Sequence, residues 1–424
     1  MRRVASRGAF AIAMLAAGSL PAASAADAPP GVIRIATFNS SLNRPTDGGL
    51  RNDLADADDP QARAVAEIIQ RVRPDILLLE EFDFDVGGVA LRDFQTNYLE
   101  RQQNGVAAIS YADSFSAPVN TGVPSGFDLD RNGKIEGGGD ALGFGAFPGQ
   151  YGMAVLSRFP IDRAQVRTFR RFLWRDMPDA LLPDDAQTME PKDWYSQGAL
   201  AVLPLSSKSH WDLPVRIGGV TLHLLASHPT PPAFDGPEDR NGKRNHDEIR
   251  FWNDYITPHS SGYIHDDRGN RGGFDGKAFV IMGDQNSDPV DGGSLNDAIR
   301  ALLANPRVNS TFVPQSVGAI EASAAQGGVN AQQRGDPRFD TADFDDRGPG
   351  NLRVDYLLPS KGIRVCGGGV FWPAQSDPLA RLVWGDDPPP SSDHRLVWID
   401  VSVSGARCPP GSDPTASAPS HPDR

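Results

Sequence analysis

Apolar positions along this chain fall in short runs, and run after run stops at a carboxylate, an amide or an imidazole. Val32–Phe38, Ile76–Leu79, Tyr151–Ser157, Ala199–Leu205, Pro214–Ile217 and Val220–Ala226 read as strands. Ala278–Met282, Leu352–Leu358, Arg364–Phe371 and Arg395–Val403 read the same way. Gly218-Gly219 marks a hairpin turn. Helical spacing appears in Gln61–Arg73, where Val65, Ile68, Ile69 and Val72 share one face and Pro74-Asp75 ends the run. Further helices are expected from about His246 to Tyr255 and around Leu295–Leu303. Strands alternating with helices predict a layered α/β architecture. Strands that follow one another without a helix predict mixed sheets.

The polar residues at the strand ends carry the candidate chemistry. In Lys277–Pro289 (KAFVIMGDQNSDP) a buried strand stops at Gly283 and delivers Asp284 and Asn286 two positions apart. If extended geometry persists, these two point to one side. A carboxylate there can align or deprotonate a water, and an amide can donate to a developing oxyanion. Asn39 follows the first strand, Glu80 and Glu81 the second, and His228 follows Val220–Ala226. Asp355 lies inside Leu352–Leu358, while Asp393 and His394 immediately precede the last strand. His223, inside its strand, reads as a packed or edge histidine.

Composition narrows the class. The chain has 424 residues, 39% of them apolar, which is enough for a core, and its 44 Gly and 36 Pro imply many loops. Residues 1–25 read as a secretory signal: Arg2, Arg3 and Arg7, an apolar centre at Ala9–Ala17, and the small-residue site Ala23-Ser24-Ala25. Arg2-Arg3 hints at twin-arginine export but lacks the fuller motif. Removing that segment moves the formal charge from −13 to −16, which argues against broad affinity for a phosphate backbone. No later run is long enough to span a bilayer. Cys366 and Cys408 can pair in an oxidising compartment, and their spacing is not that of a metal site. Residues 26–408 read as one elaborated domain and 409–424 as a loose tail.

Four stretches interrupt the pattern. Residues 112–150 are Gly-rich and contain FDLDRNGKIEGGGD, whose Asp128, Asp130, Asn132 and Gly133 match the first half of a calcium loop. Gly139 stands where a bidentate Glu belongs, with Asp140 next to it. The stretch is either a calcium-stabilised structural loop or a polar surface turn. Residues 173–198 look like a surface excursion. The charged loop Asp235–Asn245 carries Arg240, Lys243 and Arg244, read as a solvated face or an anion-binding patch. Residues 315–350 are poor in apolar side chains and look mobile.

Seven blocks in chain order (IATFN, PDILLLEE, YGMAVLSRFPI, LLASHPTPP, MGDQN, LRVDYLLPS and SSDHRLVWIDV) resemble the endonuclease/exonuclease/phosphatase superfamily, the deoxyribonuclease I-like group. They span about residues 32 to 403. The resemblance implies a four-layer α/β sandwich, two mixed β-sheets face to face flanked by helices. It implies a phosphoester hydrolase in which Glu81 is the principal ligand of a catalytic Mg²⁺ (or Mn²⁺), helped by Asn39 and Asp393. Glu80 stands where relatives often have Gln. His228 would contact the scissile phosphate, Asp284 would activate water, and Asn286 would bind a phosphate oxygen. Asp355 would orient His394, and Tyr151 lies near the phosphate-contacting region. The substrate would be a small organic phosphate, a lipid headgroup or a nucleic acid, hydrolysed by a secreted or periplasmic monomer. The SHPTPP stretch and the insertions depart from the usual pattern and leave the substrate open. No basic-and-aromatic stripe tracks nucleic acid, so a small phosphoester ranks above an extracellular nuclease. A catalytically inactive calcium-binding scaffold is the rival from another class.

Overall fold

The computed structural model describes residues 31–385, 389–403, 405, 407 and 408; the expected signal segment (1–25) and tail (409–424) lie outside them. Thirteen strands occur among the described residues: β1 (Ile33–Asn39), β2 (Ile76–Glu80), β3 (Asp113–Phe115), β4 (Met153–Ser157), β5 (Arg167–Thr168), β6 (His210–Ile217), β7 (Val220–Ser227), β8 (Phe279–Asp284), β9 (Ala342–Asp343), β10 (Asn351–Leu352), β11 (Asp355–Pro359), β12 (Arg364–Val370) and β13 (Val397–Ser402). One six-stranded sheet runs β12-β13-β1-β2-β4-β3, one five-stranded sheet runs β11-β8-β7-β6-β5, and β9 and β10 form a short ribbon. Both large sheets are mixed: β1–β2 and β7–β8 are parallel, and the other pairs antiparallel.

The two sheets pack face to face. Ile35, Phe38, Leu77 and Leu79 of the first share a core with Leu213, Leu224, Val280 and Met282 of the second. Central strands buried on both faces explain the near-continuous apolar runs. The helix Pro60–Val72 covers the first sheet with Val65, Ile68 and Ile69. Asp59 caps it by accepting from Ala62 N–H at 2.7 Å. The helix Arg240–Ile256 covers the second sheet through Ile249, Phe251, Trp252 and Tyr255, with Asp297–Ala304 beside it. This is the expected four-layer sandwich.

Three expectations fail. Ala199–Leu205 is not a strand: Ser196 accepts from Ala199 N–H at 3.1 Å and caps a helical turn over Gln197–Leu200. A local side-chain bond outweighs the apolar run. Asp235–Asn245 is not all loop, because its helix starts at Arg240. Residues 315–350 are ordered, with a helix at Val317–Gln326 and the β9–β10 ribbon. Small apolar contacts (Ala319 and Ala322 on the core, Ala342 and Phe344 with Leu352 and Val354) and many hydrogen bonds hold that stretch. Cys366 and Cys408 are joined by a disulfide. Among the described residues no helix is long and apolar enough to cross a membrane.

Candidate active site

The parallel pairs β1–β2 and β7–β8 end at one edge of the sandwich, and the polar residues cluster there. Asn39 closes β1, Glu80 closes β2 with Glu81 one residue on, and Asp284 closes β8 directly across from Asp355, the first residue of β11. Gly283 permits this convergence: at φ 131° it passes so close to β7 that a Cβ would lie 2.0 Å from the Ser227 carbonyl oxygen. Glu80 bridges the sheets, accepting from Thr37 Oγ1 at 2.6 Å and from the Asp284 N–H at 3.1 Å. Burial holds its carboxyl well above the usual carboxylate range, against the hydrogen bonds from Thr37 and the Asp284 N–H.

Asp284 sits at the centre. Its Oδ2 lies 3.2 Å from Asn39 Nδ2, 3.3 Å from Asn286 Nδ2, 3.4 Å from His228 Nε2 and 3.6 Å from His394 Nε2. Its Oδ1 accepts the Asn286 N–H at 2.8 Å. On the far side of the ring, His394 Nδ1 meets Asp355 Oδ2 at 3.0 Å. Burial raises the Asp284 pKa to about 7, against the opposing pull of the His394 charge. Burial alone would lower His394, but Asp355 and Asp284 together hold it well above an ordinary histidine. His228 goes the other way: burial, then Lys208 and His394, keep it neutral. The site therefore biases its two imidazoles in opposite directions across one acidic group, His394 toward the charged form and His228 toward the neutral one. Four non-glycine residues here have left-handed backbone: Ser41 at φ 49°, Glu81 at 53°, Tyr151 at 56° and Asn286 at 50°. Such conformations concentrate where a fold spends stability on function.

The residues fit a metal ion. Among the described residues Glu81 accepts only from the amides of Asn39 (3.2 Å) and Asn43 (2.9 Å), and Asp393 only from Ser41 and Ser392 hydroxyls at 3.3 and 3.5 Å. Neither is in an ion pair among the described residues, and burial followed by the Asp393 charge raises the Glu81 pKa. Two carboxylates with no direct ion pair among the described residues, and only the fields of His394 and Lys208 against the Glu81 charge, suit a hard divalent ion. Asp284, Asp355 and His394 also bring ligand atoms within 4.8 Å of one another. There, however, both imidazole nitrogens face carboxylates, which favours a proton over a metal.

The structure also assembles parts that no motif announced. Lys208, from the Ser-rich turn before β6, is buried, and its field reaches Glu81, Asp284 and His228. Its Nζ has only the Pro229 carbonyl, at 3.5 Å. Glu248 of the long helix accepts Ser207 N–H and Thr230 N–H, both at 2.6 Å, fastening the Lys208 and His228 loops together. One turn earlier, Asn245 donates to the carbonyls of Thr230 (2.8 Å) and Gln285 (2.9 Å), adding the Asp284 loop. Tyr151 is half-buried beside Glu81 and Asp83, whose charges add to burial in raising its phenol. Arg240 and Arg244 do not join the cluster. Arg240 pairs with Glu238 and lies over the Trp194 ring. Arg244 is buried and donates to the carbonyls of Leu142, Pro204 and Leu205, so it is neither solvated nor open to an anion. Asp128, Asp130 and Asp140 come together elsewhere, again within 4.8 Å. Asn132 donates its N–H to Asp128 and Asp130, and a Cβ at Gly139 would sit 2.2 Å from Asp130 Oδ2. Asp140, one place later, brings its carboxylate to the same cluster, where its oxygens accept the Leu129 and Glu136 N–H groups.

At one edge of a two-sheet α/β sandwich, an Asp284–His394–Asp355 chain thus lies beside the Glu81 and Asp393 carboxylates. The chain belongs to the Endonuclease/Exonuclease/phosphatase family, whose model matches residues 36–394, and is a hydrolase of phosphoester bonds. Solved structures similar to it include an endonuclease/exonuclease/phosphatase from Beutenbergia cavernae DSM 12333 (17% identity, 87% of this chain and 71% of that one, TM-score 0.44). Another is sphingomyelinase C from Streptomyces griseocarneus (15% identity, 87% and 99%, TM-score 0.40). A third is a family protein from Bacteroides thetaiotaomicron (12% identity, 88% and 96%, TM-score 0.44). Likenesses at this level carry no argument about substrate. No curated protein matches the chain.

Proposed function

We propose that this protein is a divalent-metal-dependent phosphoesterase that hydrolyses small phosphate mono- or diesters by direct attack of water. The convergence of His228, His394, Asn39 and Asn286 on Asp284 Oδ2 carries the reading. Asp284 takes the proton of the attacking water. The charged His394, held by Asp355, faces the charge that accumulates on the phosphoryl oxygens. His228, whose Nδ1 has no partner, keeps its proton on Nε2 and can donate it to a phosphate oxygen. Asn286 adds an amide donor, and Lys208 a buried amine in the field of Glu248, Glu81 and Asp284. A Mg²⁺ or Mn²⁺ held by Glu81 and Asp393, with Asn39 behind, would supply charge neutralisation and substrate orientation. The signal-like start and the Cys366–Cys408 disulfide support a place in the periplasm or outside the cell.

The test is hydrolysis by the purified protein of bis(4-nitrophenyl) phosphate, nucleotides, inositol phosphates, sphingomyelin, RNA and plasmid DNA, with Mg²⁺ and with EDTA. We expect metal-dependent turnover of a small ester and slow or absent cutting of plasmid DNA. Rapid nicking at low enzyme concentration would put the nuclease first. No turnover of any ester would end the reading.

The loop carrying Asp128, Asp130 and Asp140 is assigned a structural calcium ion. Calcium should raise the Tm of the parent and leave that of an Asp128→Ala, Asp130→Ala double variant unmoved. Equal responses in scanning calorimetry would dismiss the site.

A further inference from the structure

We propose that Thr341 is a positioning residue of the hydrolytic site: it fixes the Asp355 carboxylate, which in turn fixes the His394 ring. The inference rests on the hydrolase reading above. Thr341 belongs to the stretch whose composition suggested mobility, yet its side chain is buried and its hydroxyl fully committed. Its oxygen accepts the N–H groups of Val354 and Asp355, both at 3.0 Å. A hydroxyl has two lone pairs and one hydrogen. With both lone pairs occupied, the hydrogen is left for Asp355 Oδ2 at 2.7 Å; the only other acceptor, the Leu352 carbonyl, is at 3.5 Å.

That same Oδ2 accepts from His394 Nδ1 at 3.0 Å, while Asp355 Oδ1 is buried without a partner. The carboxylate is thus held by one oxygen, and Thr341 decides which one. Without the hydroxyl the group can turn about its last bond and leave His394 unanchored. The main chain of Thr341 is tied as firmly: its N–H donates to Leu352 O at 2.9 Å, and its carbonyl accepts Arg395 N–H at 2.7 Å. Its neighbours continue the clamp. Ala342 bridges to His394, and Asp343 N–H donates to the Asp393 carbonyl at 2.8 Å. Phe344 packs edge-on against the His394 ring. A partner that holds the orienting carboxylate sets the tautomer and direction of the imidazole it serves.

The test compares Thr341→Val, which removes the hydroxyl but keeps the shape, with Thr341→Ser, which keeps the hydroxyl. We expect Thr341→Val to lower kcat roughly 10- to 100-fold with KM nearly unchanged, and Thr341→Ser to retain the parent kcat. Proton–nitrogen NMR of the imidazoles should show the hydrogen-bonded His394 Nδ1 proton in the parent and in Thr341→Ser, and its loss or broadening in Thr341→Val. If the two stranded backbone N–H groups prevent Thr341→Val from folding, Thr341→Ala makes the same comparison with room for a water. A hydroxyl-free variant with the parent kcat and an unchanged His394 signal overturns the proposal. So does a folded Thr341→Ser as impaired as Thr341→Val. If the parent hydrolyses no phosphoester, the functional reading fails, and the NMR comparison alone still decides the role of Thr341.

Discussion

Asp284→Asn is expected to lower kcat by roughly 10³- to 10⁴-fold while leaving the protein folded. The replacement keeps size and shape, and its one oxygen can keep either the Asn286 N–H on the Oδ1 side or the Asn39 and Asn286 amides on the Oδ2 side, so part of the surrounding network survives. What it removes is the only group placed to take a proton between two imidazoles. The pH profile of the parent gives a second check. Asp284 must be ionised to accept a proton, so activity is present above its pKa of about 7 and is lost as pH falls through that value. His394 must be protonated, and its pKa is raised, so activity falls again on the alkaline side of neutrality. With the two groups this close, the limbs belong to the pair rather than to either residue. Parent-like turnover in Asp284→Asn would refute the assigned chemistry. So would an acid limb well below neutrality combined with a flat alkaline side.

Much of this site is legible in the sequence for a simple geometric reason. Strands buried on both faces show as short apolar runs, so the first polar residue beyond each run marks where the chain emerges from the core. Asn39 and Asp284 stand at such points, Glu81 and His228 one residue beyond such a point, and Asp355 opens β11 directly across from Asp284; parallel pairing of β1 with β2 and β7 with β8 brings them to one edge. The illegible parts are held by partners far along the chain. Lys208 sits in a serine-rich turn without periodicity, placed by a carboxylate 41 residues later acting on its neighbour Ser207. Thr341 lies in a stretch poor in apolar side chains and is held through hydroxyl and backbone bonds that no hydrophobic pattern encodes. Arg244 reads as a surface charge because its spacing says nothing of the loop carbonyls folded over it. Ala199–Leu205 shows the opposite error: an apolar run long enough for a strand is diverted by one capping serine.

Glu81→Gln should produce opposite effects on stability and activity. In the parent, burial first and the Asp393 charge second raise the Glu81 pKa above that of the unfolded chain. For a carboxylate this means the ionised form is less favourable when folded, so ionisation above the unfolded pKa costs stability. The side chain also hangs from a residue at φ 53°, a conformation worth holding only if the carboxylate is needed there. Gln removes the charge, and its single oxygen can keep one of the two amide contacts, with Asn39 or with Asn43, which fall on different oxygens of the carboxylate. In EDTA at neutral pH, Glu81→Gln is therefore expected to melt no lower than the parent, and above it if repulsion from Asp393 dominates. Adding Mg²⁺ or Mn²⁺ should raise the parent Tm and leave the variant unmoved, with calorimetric metal affinity down at least about 100-fold. Hydrolysis should fall by on the order of 10³-fold, because the charge accumulating on the phosphoryl group loses its counter-ion. An inactive scaffold predicts neither metal response in the parent nor any difference between the two proteins. Unchanged metal affinity in Glu81→Gln would move the cation away from Glu81 and Asp393, leaving the Asp284–Asp355–His394 trio as its only other acidic seat at this edge.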